Sequence, residues 1–97
     1  MLKHESKSIG DILSEYFKEN TFLRTKIAEH RAVAAWRELL GSGVNKYTKN
    51  VYLKRNTLYV QLSSSVLRAE LQMNKESLIE KLNEAAGMPI VYDIVLR

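Results

Sequence analysis

The chain has 97 residues, 45% of them hydrophobic, with four glycines and one proline, which suits one folded domain. It has no cysteine, which excludes disulfides and thiolate metal sites, and its two histidines, His4 and His30, are too far apart in sequence to suggest zinc. The formal net charge is +4, and no segment predicts a signal peptide or a transmembrane helix. We therefore expect a cytoplasmic protein without metal, cofactor or membrane contact.

Hydrophobic spacing predicts two helices in the first part of the chain. The first covers residues 8–18, with Ser8 as its N-cap, and its apolar stripe comprises Ile9, Ile12, Leu13, Tyr16 and Phe17. The second starts at position 20 or 21 and runs to about position 40, where Gly41 ends it. Trp36 falls on the apolar side of this helix, so we expect it in the core.

Two short strands are predicted after a loop at residues 42–50. Apolar and polar residues alternate in residues 51–54 and again in residues 58–62. The short link at Arg55-Asn56 favours a hairpin, because asparagine tolerates the positive φ angles of a tight turn. We expect one apolar face turned inward and a second face that presents tyrosine and charge.

A third helix and a third strand are predicted for the rest of the chain. Ser65 is the expected N-cap, apolar residues recur every three or four positions up to Ala85, and Gly87 ends the helix. Residues 90–96 are rich in β-branched and aromatic side chains, as is typical of a strand. Strict alternation would place four of them on one face: Ile90, Tyr92, Ile94 and Leu96.

The predicted order α-α-β-β-α-β indicates an α+β fold, in which a three-stranded sheet is packed on helices. Its core resembles a KH-like fold. A KH domain that clamps RNA has a Gly-x-x-Gly loop between two helices, whereas this chain offers Gly41-Ser42-Gly43 before a strand. We expect KH-like topology without that loop, in one domain with an N-terminal helix in residues 1–20 and a core in residues 21–97.

The positive charge of the chain is concentrated in residues 42–57, which contain four cations and no acid: Lys46, Lys49, Lys54 and Arg55. With Tyr52 and Tyr59 they form a candidate nucleic-acid site, where cations contact phosphates and tyrosines stack on bases. The alternative is an ordinary solvated hairpin face, because exposed strand positions favour tyrosine, and lysine discourages edge pairing.

Residues that could suggest catalysis have simpler interpretations. The run Ser63-Ser64-Ser65 has no histidine nearby in sequence and no Gly-x-Ser-x-Gly turn, so we interpret it as a helix cap. The glutamates of the third helix alternate with Lys75 and Lys81, which indicates a solvated face or a docking surface for a basic partner. We expect a binding protein rather than an enzyme.

The order of several short motifs resembles the DciA-like family, which is associated with the bacterial replicative helicase. Between about residues 34 and 96 the motifs are Trp36-x4-Gly41, a basic strand, Leu58-x-Val60, Ser63-Ser64, Glu70-Leu71, Leu82-Asn83 and Gly87. The resemblance implies a KH-like fold and a non-enzymatic module that contacts single-stranded or forked DNA and helps to place the helicase.

This chain departs from the family pattern at two positions and at its end. Leu67 stands where relatives usually have tryptophan, and Thr48-Lys49-Asn50 lacks the proline common at the entry of the first strand. Many relatives carry a long basic tail that is thought to share in helicase and DNA contact, whereas this sequence ends at Arg97. Two alternatives therefore stay open: a protein-docking adaptor that works through its first or third helix, and an RNA-binding or ribosome-associated protein.

Overall fold

The computed structural model describes residues 8–97, except for the side chains of residues 16–19, so the predicted places of Tyr16 and Phe17 lie outside the described side chains. The elements in chain order are α1 (Ile9–Glu19), α2 (Thr21–Asn45), β1 (Thr48–Lys54), β2 (Thr57–Leu62), α3 (Ser65–Met73), α4 (Lys75–Ala86) and β3 (Asp93–Leu96). The predicted α+β class and element order are confirmed, with the predicted third helix divided into α3 and α4.

The sheet has the order β1-β2-β3 and is mixed. β1 and β2 are antiparallel, whereas β3 lies parallel to β2, with Thr57 opposite Asp93. The two-residue link between β1 and β2 enforces the antiparallel pair, while parallel pairing needs a long crossover, which α3 and α4 supply.

The hairpin turn has the backbone geometry that its sequence predicts. Arg55 has φ 51° and Asn56 has φ 65°, so both turn residues lie in the left-handed region required by a type I′ turn. Asn56 also ties the turn to the segment before β3. The side-chain Nδ2 of Asn56 donates to the Ile90 carbonyl oxygen at 2.8 Å. The backbone carbonyl oxygen of Asn56 accepts from the Tyr92 amide at 2.7 Å.

The first two helices begin as predicted. The Asp11 amide donates to Ser8 Oγ at 3.1 Å, and the Leu23 amide donates to Asn20 Oδ1 at 2.9 Å, so a polar side chain caps each N-terminus. Gly41 has φ 76°, which confirms that the regular helix is interrupted there.

The predicted loop at residues 42–50 is wrong in extent. After Gly41 the chain makes a further helical turn to Asn45, closed by the Lys46 amide donating to the Ser42 carbonyl oxygen at 2.9 Å. β1 then begins at Thr48, earlier than predicted. The residues after Gly41 form a helical hydrogen bond again. Gly41 therefore changes the direction of the helix and does not end it.

The predicted single helix after β2 is also wrong, because it is broken at Asn74 (φ −110°, ψ 19°). The Asn74 side chain donates to the Glu70 carbonyl oxygen at 3.0 Å and so competes with the helical backbone. The N-cap is Ser64 instead of Ser65, since Ser64 Oγ accepts from the Leu67 amide at 3.2 Å. The predicted stop is confirmed: Gly87 has φ 84° and caps α4.

The last strand is shorter than predicted, and residues 90–92 do not alternate between buried and exposed positions. Ile90 and Val91 are both buried, whereas the Tyr92 side chain is 71% exposed. The amide group of Asn83 bonds the backbone of Val91 in both directions, which holds residues 90–92 outside the ladder. The prediction that Tyr92 shares the inner face with Ile94 is therefore wrong.

Trp36 lies in the core, as its spacing predicts, and is fully buried. Its Nε1 donates to Thr48 Oγ1 at 3.4 Å, and that hydroxyl donates to the Val44 carbonyl oxygen at 2.8 Å. The buried indole thus has a polar partner. The core also contains Ala28, Ala32, Ala35, Val51, Leu58, Val60, Leu62, Leu71, Leu78, Leu82, Ala86, Ile90, Val91 and Ile94.

The molecule is elongated, with extents of 62 × 24 × 20 Å. Its radius of gyration is 17.2 Å, against about 12.5 Å for a compact chain of this length. The apolar stripe of α1 is open to solvent in its described part, with Ile9 74% exposed and Ile12 and Leu13 about half exposed. Among the described residues no helix has the length and apolar character needed to cross a bilayer.

Candidate nucleic-acid interface

The face of the sheet that points away from the core is polar and aromatic. Residues directly opposite in the ladder share a face, so burial of Val51 and Val60 on the inner side places Tyr52 and Tyr59 together on the outer side. The same alternation brings further side chains to this outer face from all three strands: Asn50, Lys54, Thr57, Gln61, Asp93 and Val95.

Tyr52 and Tyr59 stack on one another across the hairpin. Their ring centroids are 5.0 Å apart and the ring planes differ by 16°. Tyr59, on the central strand, is half-buried, whereas Tyr52, on the edge strand, is 37% exposed. The fold therefore brings the two predicted tyrosines into contact.

Arg97 completes this pair from the end of β3. The central carbon of its guanidinium is 5.2 Å from the Tyr59 ring centroid, and its Nη2 donates to Tyr52 Oη at 2.8 Å. One arginine therefore contacts both rings, and we call Tyr52, Tyr59 and Arg97 the tyrosine–arginine cluster. Sequence reasoning missed Arg97. Strand alternation places it on one face with Asp93, but its contact with Tyr59 depends on the parallel pairing of β3.

The four predicted cations do not form one compact group. Lys54 and Arg55 lie at the turn end of the hairpin, whereas Lys46 lies at the end of α2 and Lys49 at the irregular start of β1. The two ends of β1 are roughly 20 Å apart for a seven-residue strand. The cations thus bracket the tyrosine–arginine cluster along the strand, and all four are exposed.

The predicted cations of the hairpin form no salt bridge within the described residues. The salt bridges there join Lys26 Nζ to Glu29 Oε1 at 3.3 Å and Lys75 Nζ to Asp93 Oδ1 at 3.2 Å. Neither involves the hairpin lysines. Asp93 accepts a hydrogen bond from the Ile94 amide and pairs with Lys75, which together hold its pKa below the usual 3.8. An acid on the outer face is therefore balanced by a neighbouring cation.

The serine run has the structural role that its sequence predicts. Ser64 caps α3, and Ser63 Oγ donates to the Tyr47 carbonyl oxygen at 3.3 Å. Nearby, Arg68 Nη2 donates to the Leu62 carbonyl oxygen at 3.1 Å. In the described part of the chain no three histidine or carboxylate side chains come together as a metal site would require.

Comparison with known proteins gives one family match and one distant relative. The family model described as "Dna[CI] antecedent, DciA" matches residues 8–96. A protein of Borreliella burgdorferi, described as uncharacterized, is 22% identical over 86 residues, which cover 88% of this chain and 87% of that protein. The family match extends across α1 and the complete sheet.

Proposed function

The chain belongs to the DciA family, whose members act with the replicative helicase in DNA replication, and from this premise we propose a non-enzymatic module that binds single-stranded or forked DNA. It assists placement of the helicase on that DNA in the bacterial cytoplasm. The proposal assigns phosphate contacts to Lys46, Lys49, Lys54 and Arg55, and base contacts to the tyrosines beside them.

The tyrosine–arginine cluster is the observation that carries this proposal. Tyr52 and Tyr59 stack at 5.0 Å and Arg97 contacts both of them, so two aromatic rings and a cation lie together on the outer face of the sheet. Aromatic rings flanked by cations bind single strands with little regard to sequence, because every base has a π-face. The exposed lysines at both ends of β1 supply the cations that such a strand needs.

The helix arrangement supports a KH-like topology as part of the same proposal. From α2 onward the order is α-β-β-α-α-β, and the break at Asn74 supplies the helix pair that a KH core contains. The junction reads Met73-Asn74-Lys75 and contains no glycine. Close backbone approach through Gly-x-x-Gly is therefore replaced, in our proposal, by contact through the β1–β2 hairpin.

The proposal is tested by fluorescence anisotropy with single-stranded DNA, a forked duplex and RNA of equal length. Contacts of the four cations to phosphates predict that affinity for single strands falls about 50-fold between 50 and 200 mM salt. Replacing Lys49, Lys54 and Arg55 with glutamate should weaken binding at least tenfold at low salt and flatten this dependence. Equal binding by this variant would show that the hairpin is not the contact surface.

A charge-matched control separates the hairpin from the net charge of the protein. Arg31, Arg37 and Lys81 are exposed cations on the helices, and their replacement with glutamate changes the net charge by the same amount. We expect this control to bind DNA more tightly than the hairpin variant. If both variants lose affinity equally, binding is non-specific attraction to a basic protein, and the proposed site is wrong.

A second candidate function is a docking adaptor that holds the helicase without a working nucleic-acid site. It is favoured by α1, whose residues Ile9, Ile12 and Leu13 are exposed along one stripe. The test is capture of purified helicase by the full chain and by a chain without residues 1–20. Undiminished capture after the deletion would exclude α1 as the docking element. Lost capture with normal DNA affinity would assign the two tasks to different surfaces.

A further inference from the structure

A groove of about 350 Å³ lies between α2 and the outer edge of β1. Its floor is apolar and consists of Val33 from α2 with Val51 and Leu53 from β1. β1 is the first strand in the sheet order, so no strand of the described sheet lies on this side of it. The groove is thus open to a ligand that approaches the strand edge.

Tyr52 also lines this groove, at the point where β1 forms the edge of the sheet. Tyr59 stacks on one side of Tyr52, toward the centre of the sheet, so the opposite face of the Tyr52 ring points toward the β1 edge. Tyr59 differs, because it lies on the central strand, is half-buried, and contacts both Tyr52 and the Arg97 guanidinium. Of the two tyrosines, Tyr52 therefore has the face on which another ring can stack.

The rim of the groove presents hydrogen-bonding groups of both kinds. Lys26 Nζ lies 3.3 Å from Glu29 Oε1, and His30 is exposed next to them on α2. A flat ligand that carries donors and acceptors around its edge suits this combination of apolar floor, aromatic wall and polar rim. Nucleobases have this chemistry, with apolar faces and polar edges.

We propose that this groove receives one base of a bound single strand, stacked on the free face of Tyr52 above Val33, Val51 and Leu53. The inference rests on the proposed nucleic-acid binding and deepens it, because it assigns base contact to Tyr52 and to α2. The sugar-phosphate backbone then follows β1 between Lys49 and Lys54, which lie on either side of Tyr52 along the strand.

An extended peptide added to the β1 edge is the rival occupant, and the charges favour the nucleic acid. Residues 42–57 contain four cations and no acid, which suits a polyanion. An added peptide strand binds mainly through main-chain hydrogen bonds and does not need a cationic segment. Tyr59 and Arg97 hold the Tyr52 ring in place, which prepares that ring to stack on a base.

The experiment compares two oligonucleotides of equal length, one normal and one with abasic sites at its central positions, so that phosphate number is unchanged. Stacking of one base predicts that the wild type binds the normal strand about 5- to 150-fold more tightly. Tyr52→Leu should remove most of this preference while leaving affinity for the abasic strand unchanged. Tyr52→Phe keeps the ring and should retain the preference.

Tyr92→Leu is the matched control, because Tyr92 is exposed but lies outside the groove. It should keep the full preference for the normal strand. Circular dichroism of each variant confirms that it is folded. A strand with 4-thiothymidine at its centre, irradiated on the wild type, should cross-link to peptides that contain Tyr52 or residues 26–33.

The outcomes separate this inference from the proposed function. If Tyr52→Leu keeps the preference, or if cross-links map to β2 and β3, the groove assignment is overturned while hairpin binding stands. If the wild type binds normal and abasic strands equally, no base is held, and a peptide strand becomes the better occupant. If neither strand binds at low salt, the proposed function fails together with this inference.

Discussion

Asn83 of α4 holds the backbone of Val91 by two hydrogen bonds that run in opposite directions. Its Nδ2 donates to the Val91 carbonyl oxygen at 3.0 Å, and its Oδ1 accepts from the Val91 amide at 2.8 Å. A side-chain amide thus bonds Val91 as a neighbouring strand would. These two hydrogen bonds fix the point at which the chain leaves α4 and turns toward β3. The Leu82-Asn83 motif therefore has a structural role.

Asn83→Ala should lower the free energy of unfolding by about 2 to 4 kcal/mol, because it leaves a buried amide and carbonyl of Val91 without partners. Asn83→Asp keeps an acceptor for the amide and should cost less. Urea unfolding followed by circular dichroism measures both. Asn74→Ala is the control, since Asn74 is exposed and its side chain makes one hydrogen bond. Equal losses for Asn83→Ala and Asn74→Ala would contradict the assigned role.

The turn residue Asn56 combines a left-handed backbone with a long-range hydrogen bond, and two substitutions separate these effects. Asn56→Gly tolerates φ 65° but loses the bond to the Ile90 carbonyl oxygen, which should cost about 1 kcal/mol. Asn56→Ala loses the same bond and adds about 1 kcal/mol of backbone strain. In thermal or urea unfolding, Asn56→Ala should therefore be less stable than Asn56→Gly. The reverse order would mean that the positive φ does not contribute.

Asp93 should make stability depend on pH in the acid range. The Ile94 amide and Lys75 lower its pKa below 3.8, so its contribution is fully present above that value. The contribution is lost as the pH falls through the lowered pKa of the folded state. Its side chain is 54% exposed, so the difference between wild type and Asp93→Asn at neutral pH should be under about 1 kcal/mol.

Unfolding of both proteins between pH 6 and 2 checks this prediction. The wild type should lose its advantage as the pH drops below about 3.8, and the two curves should converge. Because the Lys75–Asp93 pair is partly exposed to solvent, 1 M salt should reduce the difference at neutral pH. A difference that grows toward low pH would have the wrong sign and would exclude the lowered pKa as its cause.

Local patterns predicted much of the fold because local physics determines those parts. Helical spacing placed Trp36 in the core, and the pair Arg55-Asn56 predicted the hairpin turn, whose φ angles are both positive. The break at Asn74 was not predictable in the same way, since leucines recur on both sides of it. Alternation failed at Tyr92 because Asn83, a residue of another element, bonds the neighbouring backbone.

In the candidate site, too, the sequence predicted contacts between residues close in the chain and did not predict contacts between distant ones. The sequence pointed to Tyr52 and Tyr59, and their contact follows from hairpin register alone. Arg97 was missed because its place beside Tyr59 depends on the parallel pairing of β2 with β3, which periodicity does not encode. The groove against α2 likewise depends on how a helix packs beside the sheet edge.

The short length of β3 has a consequence for the dynamics of the outer face. A four-residue edge strand can open locally at less cost than the hairpin, and Arg97 would leave both tyrosine rings with it. Amide exchange in β3 would then report how often the rings are released. A ligand that binds the assembled rings would slow this exchange by favouring the closed state, so occupancy at β1 would be detectable in the protection of β3.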